Sequence, residues 1–407
     1  MRKLKYVAIV CVAAAALGSL AAVAGPAGAA KKTKTKAVHI VGNYEKVGES
    51  PQAVPQFEDG AQLAVEDLTK QGWTVNYERF PGQSVSVPAE QVAFGKVKAA
   101  NPDFWVGMTA SQQFAIAPDV VASGLPTFAL AAPATGIKSG TQGGANIFLL
   151  RPLNDTTAHD AMDYACKVLK LKKVGILAVN LPFGTDSTTI AKNTAAETPS
   201  CQIVTTQTNG YADADLTQQV LAFKNAGVDG VVGFDYPNPF GVFVKNMQDN
   251  AVNVPIIGGA SLGLAVDAKT ITNTTNLIGV DDCVPELEKS KDAKAFTKNY
   301  KAKYGYNPNY SAAQVYDAFH YGTEAVAAVG TDHAAIVKWI ASNPYDGVCS
   351  YKADKNNVLG RSVTVFKWNP DGSKKLLKNY VSEYIPPTEI VGASTTAAGT
   401  ATTTAAK

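Results

Sequence analysis

Residues suited to metal, redox or nucleotide chemistry are scarce in this chain. Histidine, cysteine, methionine and tryptophan number 4, 5, 4 and 4 among 407 residues. There is no C-x-x-C and no paired histidine, so a zinc centre lacks a ligand set; His39 and His159 stand isolated. No glycine-rich loop has P-loop spacing, and no basic stripe is interleaved with aromatics. Beyond the first thirty residues no apolar run is long enough to span a bilayer. Excess charge is missing as well. Without Arg2, Lys3 and Lys5, the 37 basic residues become 34, against 34 acidic ones. That balance argues against nucleic acid or an anionic membrane surface as partner.

What is present begins with a leader. Residues 1–29 read as a secretory signal peptide: a positive start, an apolar core over Tyr6–Leu20, and an A-x-A site at Ala27-Gly28-Ala29. Cys11 lies inside that core with no small residue before it, a poor acylation site. The expected location is outside the cytoplasm, in the periplasm or the cell envelope and exterior. Four cysteines remain: Cys166, Cys201, Cys283 and Cys349. An even number in an exported chain implies two disulfides, with three possible connectivities. Pairing in chain order is preferred, because Cys166 lies on a helix expected beside the strand that begins at Cys201.

A chain of this length predicts two lobes. Apolar runs alternate with helical patterns from Ala37 on. Strands are expected near 38–42, 74–80, 104–108 and 127–131, then near 174–179, 202–207, 230–234 and 255–258. Helices are expected between them, near 57–71, 89–100 and 112–123, then 156–169, 186–197, 214–226 and 240–250. Strands separated by such helices imply parallel sheets, and two series imply two Rossmann-like lobes. Three consecutive helices (291–304, 311–329, 332–342) and a strand pair (362–368, 375–380) follow, the latter joined by the turn Asn369-Pro370-Asp371-Gly372. Residues 393–407, mostly Ala and Thr, read as a disordered tail.

The most informative stretch is Pro102–Gly136. There one apolar run stops at Thr109-Ala110-Ser111, and a second stops at Ala132-Pro133-Ala134-Thr135-Gly136. Ligands in open parallel sheets bind at the carboxyl ends of strands. Small and hydroxyl residues there leave room and offer neutral hydrogen bonds; the plainer alternative is that Ser111 and Thr135 only cap the next turn. The segment resembles the first-lobe ligand loops of type I periplasmic solute-binding proteins, in particular the branched-chain amino acid-binding (Leu/Ile/Val) family of ABC transporters. The resembling residues are Gly107-Met108-Thr109-Ala110-Ser111, Gly124-Leu125-Pro126 and Ala132-Pro133-Ala134-Thr135, and the likeness extends over roughly residues 37–385.

The resemblance implies an α/β fold of two Rossmann-like lobes joined by a three-crossing hinge. Lobe 1 would comprise 37–152 plus 282–346, and lobe 2 would comprise 153–281 plus 347–388. Crossings are expected near 151–154, 280–283 and 346–351, so a Cys283–Cys349 disulfide would staple the hinge. Implied ligand residues are Ser111, Thr135 and the backbone of Ala132 and Ala134 in lobe 1, with Tyr44 as a side wall. In lobe 2 they are Phe183 as a lid, with Asp235 and Tyr236. Relatives that bind α-amino acids commonly carry an acid where this chain has Ala260, which leaves Asp235 to supply the charge or the ligand without an ammonium. The implied protein is not an enzyme. It is a monomeric solute-binding protein that hands a small amino acid-like, amide or carboxylate ligand to an ABC permease, with no cofactor and no metal. A ligand sensor of the same fold is the alternative. A hydrolase is a third reading: Gly259-Ala260-Ser261-Leu262-Gly263 matches G-x-S-x-G, and Asp317 with His320 or His333 follows in order. Against it, no clear helix is expected directly after Ser261.

Overall fold

The computed structural model describes residues 36–45, 54–82, 86–267, 269–360 and 362–381. The expected signal peptide, most of the first loop after Tyr44, and the Ala/Thr-rich tail lie outside the described residues.

Two sheets form. The first holds β1 (Ala37–Glu45), β2 (Thr74–Gly82), β3 (Phe104–Gly107), β4 (Thr127–Ala129) and β5 (Ile147–Leu149), all parallel, in the order β2-β1-β3-β4-β5. Side chains alternate between its faces, as the pleat requires. Ile40, Phe104, Val106, Phe128 and Phe148 enter one cluster, whereas Val41, Trp105, Ala129 and Ile147 enter the opposite one.

The second sheet holds β6 (Lys173–Val179), β7 (Gln202–Asn209), β8 (Gly230–Phe234), β9 (Ile256–Gly258) and β10 (Leu277–Asp281), parallel in the order β10-β9-β8-β6-β7. A short pair, β11 (Tyr345–Asp346) and β12 (Ser350–Tyr351), precedes the hairpin of β13 (Ser362–Trp368) and β14 (Lys374–Val381), which joins β10 antiparallel. The helices α1 (Val54–Lys70) and α2 (Val87–Ala100) cover the first sheet. So do three later helices, α10 (Lys291–Tyr304), α11 (Tyr310–Val329) and α12 (His333–Ser342). Helices on both faces of parallel strands bury continuous apolar runs such as Phe104–Val106 and Val231–Phe234.

Most boundaries fall where the pattern predicts, and the departures have local causes. The helices α6 (Pro182–Ala196) and α8 (Pro237–Asp249) begin three to four residues earlier than expected, each with proline in its first turn. A proline start sets φ without needing an N–H partner, but it carries no helical periodicity to read. Six short elements were not anticipated: β5, β10, β11, β12, α4 (Ala134–Lys138) and α9 (Ala260–Asp267). The expectation that no helix starts beside Ser261 is corrected by α9. Its run of small residues gives little amphipathic signal.

The chain passes from the first sheet to the second after β5, entering α5 (Asn154–Asp163), and returns after β10. The third passage comes later than expected. Residues 357–359 run along the outer edge of β5, with Leu149 N–H donating to Asn357 O at 2.9 Å and Leu359 N–H to Leu149 O at 2.8 Å. Gly360 is the last described residue on the lobe-1 side, where a side chain would collide with the backbone of Leu150 and Arg151, and Ser362 opens β13 of the second sheet.

All three passages meet at one buried group. Arg151 donates to Asp282 through Nε (2.9 Å) and Nη2 (2.8 Å), and Asp281 lies 3.8 Å from Nη2. Gln314 of α11 donates to Asp282 Oδ2 at 2.6 Å, Ser362 Oγ donates to Asp282 O at 3.3 Å, and the guanidinium lies 4.5 Å from the Tyr310 ring centroid. Burial and the Asp282 charge hold the Asp281 carboxyl well above the usual carboxylate range.

Both disulfides pair in chain order. Cys166, in a π turn that ends α5, joins Cys201 at a Cα separation of 5.4 Å, and Cys283 joins Cys349 at 6.1 Å. Cys349 sits in the β11–β12 loop, not at a crossing, and both Cys283 and Cys349 belong to the core of the first lobe. The bridge therefore fastens the lobe-1 end of the second passage.

Candidate functional site

Strand-end loops of the two lobes meet where α4 touches α5 and α6. From lobe 1 come the loops after β3 and β4. The first is pinned by Gln113, whose Oε1 accepts the Ala110 N–H at 2.9 Å and the Thr109 hydroxyl at 3.0 Å. Ser111 opens a 3₁₀ turn (Ser111–Ile116) that leads into α3 (Ala117–Ser123). Its Oγ accepts from Asn154 Nδ2 at 3.3 Å, where the chain leaves for the other lobe. The Asn154 backbone N–H donates to Ala132 O at 3.0 Å. Ala132 and Ala134 are buried, whereas Thr135 is exposed on α4.

From lobe 2 come the ends of β6, β8 and β9. Phe183 is in the first turn of α6, half-buried, with its ring 5.8 Å from that of Tyr236 and edge-on to it. Tyr211 adds a third ring, 5.0 Å from Tyr236. Gly184 sets how close this turn comes to the strand, since a side chain there would run into the Val179 carbonyl. Replacing Gly184 with Ala is expected to displace Phe183; the loss of Phe183–Tyr236 ring-current shifts in NMR spectra would register it.

The two walls touch. The Thr135 hydroxyl donates to Asp186 Oδ2 of α6 at 2.6 Å, and Lys138 of α4 pairs with the buried Asp155 of α5. Asp186 was not singled out from the sequence; it follows the Phe183-Gly184 pair by two residues, and no motif flags it.

Asp235 is 1 % exposed, its Oδ1 accepts the Tyr236 N–H at 2.8 Å, and its Oδ2 has no hydrogen-bond partner. Burial pushes its pKa up to about 7. An aspartate in the unfolded chain titrates near pH 4. Between those values the folded state therefore holds a proton that the unfolded state has lost. The stabilisation is full below about pH 4 and is lost as pH rises through about 7. Asp235→Asn keeps the oxygen that accepts from Tyr236 and removes the charge. Its denaturation midpoint is expected above the parent's at pH 8, with the gap closing by pH 4.

Tyr44 is not brought to this cleft. Its ring is fully buried in the lobe-1 core, stacked on Phe57 at 5.4 Å. The hydrolase residues are scattered too. Asp317 spends its two oxygens on the N–H groups of Val348 (2.8 Å) and Cys349 (2.9 Å). The His320 ring lies 4.5 Å from that of Tyr316, tilted to it, and burial depresses its pKa to about 4, while His333 Nε2 hydrogen-bonds Pro102 O at 2.8 Å. Among the described residues, no group of three or more His, Cys, Asp or Glu could hold a metal ion, and no helix is long and apolar enough to cross a membrane.

Two parallel α/β lobes, three chain passages and facing strand-end loops define a two-lobed binding protein. The chain belongs to the periplasmic binding protein family, whose model matches residues 38–374. No curated protein sequence matches it. Solved structures share the fold at low identity. The branched-chain amino acid transporter substrate-binding protein LivJ of Streptococcus pneumoniae, in complex with isoleucine, is 20% identical. That match covers 84% of this chain and 99% of LivJ, with a TM-score of 0.73. A solute-binding protein of an ABC transporter from R. palustris, in complex with benzoate, is 18% identical, with 84% and 95% coverage and a TM-score of 0.75. The leucine-binding protein LivK of Thermotoga maritima is 18% identical, with 84% and 98% coverage and a TM-score of 0.71.

Proposed function

We propose that this chain is the exported solute-binding component of an ABC importer, acting as a monomer that captures a small ligand between its lobes and presents it to the permease. The observation that supports this reading is the contact of the two walls, Thr135 with Asp186 at 2.6 Å and Lys138 with Asp155, beside the loops that carry Ser111, Ala132 and Ala134 in lobe 1 and Phe183, Asp235 and Tyr236 in lobe 2. Hydroxyls on one wall and aromatic rings on the other are a combination suited to fixing a small polar head and covering an apolar body. The lobes, divided near residues 152, 282 and 360, would move about the Arg151–Asp282 group. Contacts supplied by both walls make the ligand favour the closed arrangement. Relatives of this fold in complex with isoleucine and with benzoate support an amino acid-like, amide or carboxylate ligand.

A thermal-shift screen of amino acids, short amides and aromatic acids tests this. A ligand at a hundredfold excess over its Kd adds about 2.7 kcal/mol to stability, an easily read shift. Ser111→Ala and Thr135→Ala are each expected to weaken the best hit by about tenfold, the worth of one buried hydrogen bond to a charged group. Full-strength binding in both variants would remove these residues from the site.

A further inference from the structure

Beneath the aromatic rings of lobe 2, two buried oxygens lack a donor. Asn209 is the last residue of β7, and Asp235 follows the last residue of β8. These strands flank β6, on which Val179 pairs with Asn209 and Ala178 with Phe234. Asp235 and Asn209 are 1 % and 3 % exposed, and the Asn209 side chain meets the Asp235 carboxyl. Each has one polar atom in use. Asp235 Oδ1 accepts the Tyr236 N–H at 2.8 Å, and Asn209 Nδ2 donates to Gly210 O at 3.1 Å. The other two atoms, Asp235 Oδ2 and Asn209 Oδ1, have no hydrogen-bond partner.

A carboxylate oxygen and an amide oxygen only accept, so they cannot satisfy one another. Leaving both bare in a buried site is costly, and one hydrogen donor between them removes the deficit. A bridging water or the acid's own proton could supply it. The water would leave the carboxylate charged, and burial without a cation opposes that. The charged group that acts on Asp235 is a second anion, Asp213, on the loop after β7. On α6, Asp186 is turned to Thr135, and α8 opens on Pro237-Asn238-Pro239, which carries no charge. Tyr211 and Tyr236 bring rings and no cation. A proton on Oδ2 answers both the missing donor and the unanswered charge.

We propose that Asp235 is a positioning residue kept as the neutral acid, whose carboxyl proton is donated to Asn209 Oδ1, and that this bond sets the base of the ring wall formed by Phe183, Tyr236 and Tyr211. The links to the rings are short. Tyr236 is the next residue and its N–H is held by the same carboxyl; Tyr211 stands two residues after Asn209. Tying the ends of β7 and β8 therefore fixes the Tyr211–Tyr236 contact at 5.0 Å, against which Phe183 packs at 5.8 Å. Loss of the proton would set a charged oxygen against the amide oxygen and let the two ends part. Use of this wall in ligand capture rests on the reading of the cleft as the solute site; the bond itself does not, so it is tested without ligand.

The test follows the ligand-free protein by NMR as pH rises. With aspartate labelled at the carboxyl carbon, the signal that Asp235→Asn deletes belongs to Asp235. It is expected to titrate near about pH 7, where burial places it, and not near about pH 4 as an exposed aspartate does. The ring signals of Tyr211 and Tyr236, assigned by Tyr→Phe substitution, should move with the same midpoint. Asp235→Asn presents an amide N–H to Asn209 in place of the proton, so its rings should keep their acid-side positions throughout. Asn209→Leu removes the acceptor, and the pH-linked movement should vanish there too; matching circular dichroism shows both variants folded. A carboxyl signal in the parent that titrates near pH 4 would overturn the proposal and assign the two oxygens to a bridging water, leaving the solute site untouched. Titration near pH 7 with rings that do not move would overturn the positioning role.

Discussion

Arg151→Met is expected to cost about 3–5 kcal/mol of stability, the penalty for stripping the partner from a buried ion pair. The methionine replaces much of the volume but leaves the Asp282 carboxylate with Gln314 alone, and takes from Asp281 the guanidinium 3.8 Å away. The loss should appear in urea unfolding as a fall in the midpoint with little change in slope, because the same surface is exposed. A second substitution separates penalty from net worth. Arg151→Met with Asp282→Leu removes the stranded charge, and most of the loss should return. A single-variant loss under 1 kcal/mol would mean that water reaches the group and that the three passages are not fastened there.

Removing the Cys283–Cys349 bridge should have a comparable effect. The bridge closes a span of 66 residues. For that length the restriction of the unfolded chain is worth about 4 kcal/mol on the chain-entropy model. The Cys283→Ser/Cys349→Ser protein should still fold, because Asp317 independently holds the loop through the N–H groups of Val348 and Cys349. Melting the oxidised parent beside the oxidised variant measures it, since Cys166–Cys201 is intact in both: the variant's midpoint is expected to be the lower. Equal midpoints for oxidised parent and variant would show that the bridge constrains nothing.

Strong periodicity made most of the architecture legible. Strands such as 230–234 and helices such as 291–304 stand at the expected residues, because long apolar alternation and capping signals agree there. Three-residue strands carry too few side chains for a firm pattern: β4 and β9 were anticipated and β5 was not. The late third passage was hidden for a different reason. Residues 357–359 attach to β5 through backbone hydrogen bonds, which side-chain pattern does not encode. At the proposed site, resemblance supplied Ser111, Thr135 and Phe183, each in the first turn that follows a strand end. Asp186 escaped because its significance comes from a partner 51 residues away on the other lobe. Tyr44 shows the opposite error: a polar aromatic after a strand looked like a pocket wall, yet Phe57 and the helix above it bury the ring.

The central claim is that ligand draws the two strand-end walls together. Fluorescent labels at Ser139, exposed after α4, and at Lys192, exposed on α6, place one probe on each wall. Single-molecule energy transfer between them, recorded with and without the strongest hit of the screen at saturation, reports the separation directly. The account predicts a shift to one narrow, short-distance population on ligand addition, abolished by Ser111→Ala at the same ligand concentration. An unchanged distance distribution under saturating ligand would contradict it.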